Sequence, residues 1–191
     1  SPAAVIPRIA AAVCALVVLS GCSRGPSLPT YGMVPDFELT DQTGSTFRSK
    51  DKLDGHVWVA NFMFTTCMGP CPRMSSQLKQ VRDATADSSD RRIVSFTIDP
   101  QRDTPEALAA YSTRYRADPN VWFFLTGPQP ALQHLSKDVF MLQDIDGTLQ
   151  HSTRFVLVDQ KSRIRGFYDS SDANSVKQLV ADVRALAQAG A

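Results

Sequence analysis

Four short apolar runs, each bounded by polar or turn-forming residues, constrain the fold of this chain most strongly. They are VWVANFMF (57–64), IVSFTI (93–98), VWFFL (121–125) and FVLV (155–158). Apolar runs of this length without alternation are typical of strands buried on both faces of a sheet. Segments with apolar residues at helical spacing separate them, and Thr104-Pro105-Glu106 has the residues of a helix start. The chain is therefore expected to be α/β, with helices on both faces of a central sheet.

Antiparallel strands are predicted at both ends of this pattern. Residues 37–40 and 46–48 alternate in polarity on either side of a turn at 41–44, which predicts an N-terminal β-hairpin. The FVLV run is followed by a turn, by a partner strand over 164–168 and by a last helix from about Ser171. This order of elements is that of an elaborated thioredoxin-like fold, with a mixed central sheet.

Composition excludes one class of function and makes the cysteines informative. The 191 residues include 20 Lys and Arg against 19 Asp and Glu, so the net charge of +1 gives no support for nucleic-acid binding. A chain of this length buries enough surface to fold without a disulfide framework. Its four cysteines therefore need another explanation.

The N-terminal segment has the pattern of an export signal. Arg8 precedes an apolar run over residues 9–19, which is too short to span a bilayer but suits a signal peptide. The next residues, Leu19-Ser20-Gly21-Cys22, resemble the lipobox of bacterial lipoproteins. We therefore predict a lipoprotein signal peptide over 1–21 and lipidation of Cys22. The alternative is a plain secretory signal followed by an unrelated cysteine.

These assignments predict the organisation of the mature chain. Residues 22–34 are rich in Pro, Gly and Ser and predict a flexible tether, and residues 35–191 form the predicted thioredoxin-like domain. The protein is expected outside the cytoplasm, in the bacterial cell envelope, anchored to a membrane through Cys22. Cys14 leaves with the signal, so Cys67 and Cys71 are the cysteines left for chemistry.

Cys67 and Cys71 follow the first buried strand, in the sequence CMGPCP that begins the next helix. Thioredoxin-like proteins keep their chemistry at this position. The partial positive charge at a helix N-terminus stabilises a thiolate, either as a nucleophile or as a metal ligand. The spacing leaves three interpretations open: a structural disulfide, a redox couple and a metal site.

The residues available as ligands limit which metal ion such a site could bind. Structural zinc needs four ligands, usually Cys or His, and the three histidines, His56, His134 and His151, are scattered along the chain. Copper(I) accepts two or three soft ligands, so two thiolates with or without an imidazole suffice. His151 is favoured because, in a thioredoxin-like topology, its loop lies beside the cysteine loop. Met68 is either a thioether ligand or an ordinary loop residue.

Several segments together resemble the Sco/SenC family of copper-binding thioredoxin-fold proteins. The resemblance spans about residues 35–188 and lies in PDFELTDQ (35–42), FMFTTC with a following CP (62–72), DPQRDTP (99–105) and HS before FVLVD (151–159). It implies that Cys67, Cys71 and His151 bind copper, as Cu(I), Cu(II) or both. It also implies a metallochaperone that assists assembly of the binuclear copper centre of cytochrome c oxidase. The implied partner is the copper-bearing subunit of that oxidase or another copper protein.

Asp99 and Asp103 match acidic positions of the family's DPxxDTP motif. One interpretation is a contact with a partner or with the metal-binding loop. The simpler one is a turn at a strand end and an acidic residue at a helix start, where the helix dipole favours negative charge.

An enzymatic alternative is an extracytoplasmic thiol:disulfide oxidoreductase. Cys67 would attack as the thiolate and Cys71 would resolve the mixed disulfide, with a thiol reductant as partner. Related disulfide reductases usually have a cis-proline just before the strand that corresponds to FVLV. Here Ser152, next to His151, occupies that place, which favours metal ligation over dithiol exchange.

Overall fold

The structure, a computed structural model, describes residues 28–142 and 152–190. Within those ranges the strands are β1 (Gly32–Met33), β2 (Glu38–Asp41), β3 (Thr46–Arg48), β4 (Val57–Met63), β5 (Arg91–Thr97), β6 (Trp122–Thr126), β7 (Arg154–Val158) and β8 (Arg163–Asp169). The helices are α1 (Ser49–Leu53), α2 (Pro70–Ala84), α3 (Pro105–Arg114), α4 (Gln129–His134) and α5 (Ala173–Ala189). A π-helical turn, Leu135–Val139, continues α4.

All the strands of the described residues join one mixed sheet in the order β1-β8-β7-β4-β5-β6-β2-β3. Strands β4, β5 and β6 are parallel and form its centre. The hairpin β2–β3 extends the sheet from β6, and β7, β8 and β1 extend it antiparallel from β4. The predicted fold class, a mixed central sheet with an N-terminal β-hairpin, is confirmed.

Helices cover both faces of this sheet because the central strands are apolar on both sides. On one face Val59 of β4 belongs to a core cluster that includes Leu78 of α2 and Leu179 of α5. On the other face Phe62 belongs to a second cluster, which includes Leu132 of α4. Successive side chains of a strand point to opposite faces, so one continuous apolar run supplies both cores. No helix of the described residues is both long and apolar enough to span a bilayer.

Helix boundaries follow the caps seen in the sequence. The Thr104 hydroxyl accepts a hydrogen bond from the Ala107 N–H at 3.3 Å, and Pro105 occupies the first turn of α3. The Asp172 carboxylate caps α5 by accepting from the Asn174 N–H at 2.9 Å. A residue whose side chain satisfies a first-turn N–H fixes where a helix begins.

The predicted tether lies partly within the described residues, and that part is bonded to the sheet. Gly32 and Met33 pair with β8, and the Arg165 side chain donates to the carbonyls of Pro29 (2.9 Å) and Leu28 (2.6 Å). Val34 is buried, with 6% of its surface exposed. The folded domain therefore begins before Pro35. Strand β8 lies far along the chain, and its outer edge forms the backbone hydrogen bonds that hold β1 in the sheet.

Candidate metal centre

The two cysteines lie where the loop after β4 turns into α2. Helix α2 begins at Pro70, which puts Cys71 in its first turn, and Cys67 lies in the loop just before it. Both are thiols, with no disulfide between them. Cys67 keeps 8% of its surface exposed, whereas Cys71 is fully buried. First-turn N–H groups have no intrahelical partner and favour negative charge, so this position suits a thiolate.

The two thiols interact with each other. Burial raises the pKa of Cys71 well above the ordinary value of 9.0, and a hydrogen bond with Cys67 and the nearby Asp103 carboxylate raise it further. A hydrogen bond from the Phe64 backbone opposes these effects. Cys71 is therefore a protonated thiol at neutral pH. A metal ion that binds it must displace that proton.

Asp103 holds the loop that leads to Cys67. Its fully buried carboxylate accepts from the Thr65 N–H at 3.1 Å, the Thr65 hydroxyl at 2.5 Å and the Thr97 hydroxyl at 2.6 Å. Asp99 instead pairs with Arg102 at 2.9 Å in the turn after β5. The structure thus supports a contact with the cysteine loop for Asp103 and the simple turn interpretation for Asp99.

Strand β7 brings the segment that follows His151 to the same end of the sheet as the cysteines. Val156 pairs with Ala60 of β4 in antiparallel register, so the start of β7 lies level with the end of β4. The Thr153 carbonyl accepts from the Ser170 N–H at 2.9 Å, and the Ser170 carbonyl accepts from the Gln77 side chain of α2 at 2.8 Å. Residues 152–153 are thereby fixed beside the helix that contains Cys71.

The histidines of the described residues lie elsewhere. His134 is exposed and pairs with Asp138 at 2.8 Å. His56 precedes β4, at the end of the strand opposite the cysteine loop, and contacts Arg92 at 3.2 Å. Seven strand residues separate His56 from that loop by about 20 Å. His151 and Cys22 lie outside the described residues, so the roles predicted for them stay predictions.

Met68, between the cysteines, is 96% exposed, as expected of a loop residue that points to solvent. Within residues 28–142 and 152–190, no three His, Cys, Asp or Glu side chains gather as a complete metal site. The described part of the centre is thus a pair of thiols.

The fold and the paired thiols at the start of α2 define a thioredoxin-like domain with its cysteine chemistry in the usual place. The family model described as SCO1/SenC matches residues 27–188. The chain therefore belongs to the SCO1/SenC family.

Three relatives illustrate the match. A SCO1/SenC family lipoprotein from Bacillus anthracis has a solved structure with a TM-score of 0.74 and 32% identity, covering 82% of this chain and 95% of that one. BsSco is described as a member of the Sco family of cytochrome c oxidase assembly proteins with a disulfide switch. Its structure has a TM-score of 0.73 and 25% identity, covering 85% of this chain and 97% of that one. A Stutzerimonas stutzeri protein whose name proposes that it binds copper is 32% identical over 147 residues, covering 73% of this chain and 70% of the relative.

Buried acids predict a loss of stability at high pH. Burial raises the pKa of Cys71 above 9.0 and those of Tyr111 and Tyr168 above 10.0. Above these values the unfolded chain loses protons that the folded chain keeps, so the free energy of unfolding falls as pH rises. The stabilisation that these protonated groups give the folded chain is complete below pH 9. It begins to be lost near pH 9, where the Cys71 thiol of the unfolded chain starts to ionise.

Urea unfolding between about pH 8 and 11 measures this loss. Tyr168→Phe should flatten the decline above pH 10, because it removes one of the groups concerned. A free energy of unfolding that stays constant or rises over this range would contradict the prediction.

Proposed function

We propose that this protein is a copper metallochaperone of the Sco type. It takes up copper through Cys67, Cys71 and His151 and assists assembly of the binuclear copper centre of cytochrome c oxidase. The proposal rests above all on one observation: two thiols that are not joined in a disulfide contact each other, Cys71 in the first turn of α2 and Cys67 in the loop just before it. Copper here is the cargo of the protein rather than a resident cofactor.

The donor set suits copper better than its common competitors. Soft thiolates select Cu(I), which is satisfied by two or three ligands, whereas structural zinc needs four. The helix N-terminus offsets the negative charge of two thiolates. Cys71 must release its proton on binding, so apparent affinity is expected to rise with pH below its raised pKa. An imidazole as third ligand also suits Cu(II).

His151 is proposed as that third ligand. It directly precedes Ser152 in the chain. The next residue, Thr153, is held beside α2 through Ser170. A ligand on a segment anchored by hydrogen bonds loses less freedom on binding, which favours affinity.

The acceptor and the location are proposed from the family. BsSco belongs to a family of cytochrome c oxidase assembly proteins, and the Bacillus anthracis relative is a lipoprotein. We infer that this chain acts in the bacterial cell envelope, outside the cytoplasm, anchored through a lipid on Cys22. A copper-bearing subunit of the oxidase or another copper protein would receive the metal.

A thiol:disulfide oxidoreductase is the second candidate, and the exposure of the two thiols favours it specifically. Cys67 keeps 8% of its surface exposed and is the sulfur nearer to a substrate disulfide, while the fully buried Cys71 is in contact with it and can resolve a mixed disulfide. The thiolate of Cys67 would attack a substrate disulfide, and that of Cys71 would then attack Cys67. This would release the reduced substrate and leave the Cys67–Cys71 disulfide for a reductant.

The variant His151→Ala separates the two functions. Loss of an imidazole ligand is expected to weaken Cu(II) binding by at least about 10-fold, while disulfide exchange with a model substrate continues at the wild-type rate. Copper titration of the full chain and a thiol-exchange assay measure the two effects.

His134→Ala is the matched control, since His134 is exposed and pairs with Asp138 away from the cysteines. Unchanged copper affinity in His151→Ala would contradict the proposed ligand set. If disulfide exchange were lost at the same time, the oxidoreductase would be favoured.

A further inference from the structure

The edge of the sheet formed by β1 is joined closely to the predicted lipid anchor. The chain is bonded to the domain from Leu28 onward, through Arg165, Ile164 and Ser162. Six residue steps separate Leu28 from Cys22, and a fully extended chain of that length spans roughly 20 Å. A lipid on Cys22 would therefore keep this edge within about 20 Å of the bilayer surface.

The same edge exposes side chains suited to a membrane interface. The large hydrophobic side chains exposed among the described residues are those of Tyr31, Met33, Met68 and Met141. Two of them, Tyr31 at 52% and Met33 at 61%, lie on or next to β1. Tyr31 is not loose, because its ring packs edge-on against Phe167 at 5.2 Å between centroids. A rigid tyrosine with an exposed edge is typical of membrane interfaces.

The turn beside β1 adds positive charge. Met33 pairs with Arg163, the first residue of β8, and Lys161 lies two residues earlier in the turn between β7 and β8. Lys161 is exposed. The buried Asp159 binds both Arg163 (2.8 Å) and Arg165 (2.7 Å). The two guanidinium groups carry two positive charges, and the carboxylate offsets one of them. A local excess of cations attracts anionic phospholipid headgroups.

We propose that the edge defined by Tyr31, Met33 and Lys161 docks on the headgroup surface of the membrane that holds the lipid anchor. The proposal deepens the proposed function and rests on lipidation of Cys22. Strand β4, which leads to the cysteine loop, lies three strands in from β1, about 14 Å across the sheet. Docking through this edge would hold the thiols at a fixed, short height above the bilayer. A membrane-bound copper acceptor could then be reached without large excursions of the domain.

The test uses the full lipidated chain reconstituted in vesicles of phosphatidylcholine and phosphatidylglycerol containing brominated acyl chains. Met33→Trp places an indole at the proposed contact, while the native Trp58 and Trp122 are buried and give a constant background. Bromine quenching should lower the added emission at least about two-fold. Met141→Trp is the matched control, because Met141 is another exposed methionine, at 50%, and follows the π-helical turn after α4 instead of lying on β1. Its emission should change little.

Charge reversal completes the test. Lys161→Glu, introduced into the Met33→Trp chain, should relieve the quenching, while Lys177→Glu on α5 should leave it unchanged. Full emission from Met33→Trp in a chain that carries its lipid and still binds copper would overturn the docking and leave the proposed function standing. An unmodified Cys22 in the mass spectrum would overturn it too. So would a lipid-independent change in emission that grows with protein concentration, which would indicate edge-to-edge pairing of two copies.

Discussion

Replacing Cys71 with serine is expected to weaken Cu(I) binding by more than about 100-fold. Loss of a group that only orients a metal ligand costs up to about 100-fold, and loss of the ligand itself should cost more. A hydroxyl is a hard, weakly acidic donor and is a poor ligand for Cu(I). Serine is close to cysteine in size, so the fully buried site should still fold. Competition with a chromophoric Cu(I) chelator under reducing conditions measures the affinity, and thermal unfolding of the metal-free chain checks the fold.

Cys67→Ser should show a loss of similar size, because two soft ligands are the minimum for a tight Cu(I) site. Met68→Leu is the matched control. Its thioether lies between the two cysteines in sequence but is 96% exposed, so affinity should change no more than about threefold. The proposed site would be refuted by either serine variant binding one copper per chain with affinity within tenfold of the wild type.

Removing the Asp103 carboxylate is expected to lower the free energy of unfolding by about 3–5 kcal/mol. Asp103→Ala leaves the Thr65 N–H, the Thr65 hydroxyl and the Thr97 hydroxyl without their acceptor inside the protein. For a domain of this size the melting temperature should fall by roughly 10 °C. The loop before Cys67 should also loosen, so alkylation of the thiols by iodoacetamide should become faster. Thermal melts and timed alkylation measure the two effects.

Asp99→Ala is the control for this prediction. Asp99 pairs with Arg102, whose side chain is 65% exposed and screened by water, so Asp99→Ala should lower the melting temperature much less than Asp103→Ala. The thiols of Asp99→Ala should be alkylated at the same rate as those of the wild type. A melting temperature for Asp103→Ala as high as that for Asp99→Ala would show that the buried carboxylate does not stabilise the loop.

The sequence was sufficient for the features that depend on local pattern. The apolar run at 57–64 predicted a strand buried on both faces, and β4 occupies 57–63. The polarity change around residues 41–44 predicted the hairpin β2–β3. The proline after Cys71 placed the cysteines at a helix start, where α2 begins. Each of these features follows from periodicity or from backbone restriction within a few residues.

The sequence was not sufficient for contacts between distant segments. It left Asp103 between two interpretations, because only the packing of the turn after β5 against the loop after β4 brings the carboxylate to Thr65. It predicted a tether where Gly32 and Met33 form a strand, because the partner, β8, lies far along the chain. It also missed α1, which is short and has no side-chain cap.

The amino-acid sequence by itself determined the central strands, the longer helices and the position of two thiols at a helix start. Periodicity and local backbone preference act within about one turn or one strand, so a sequence displays them directly. Only the tertiary structure decided that the thiols touch, that Asp103 fixes their loop and that Gly32 and Met33 form the edge strand of the sheet. These depend on which segments, remote in sequence, share one face or edge, and that is set when the whole core is packed.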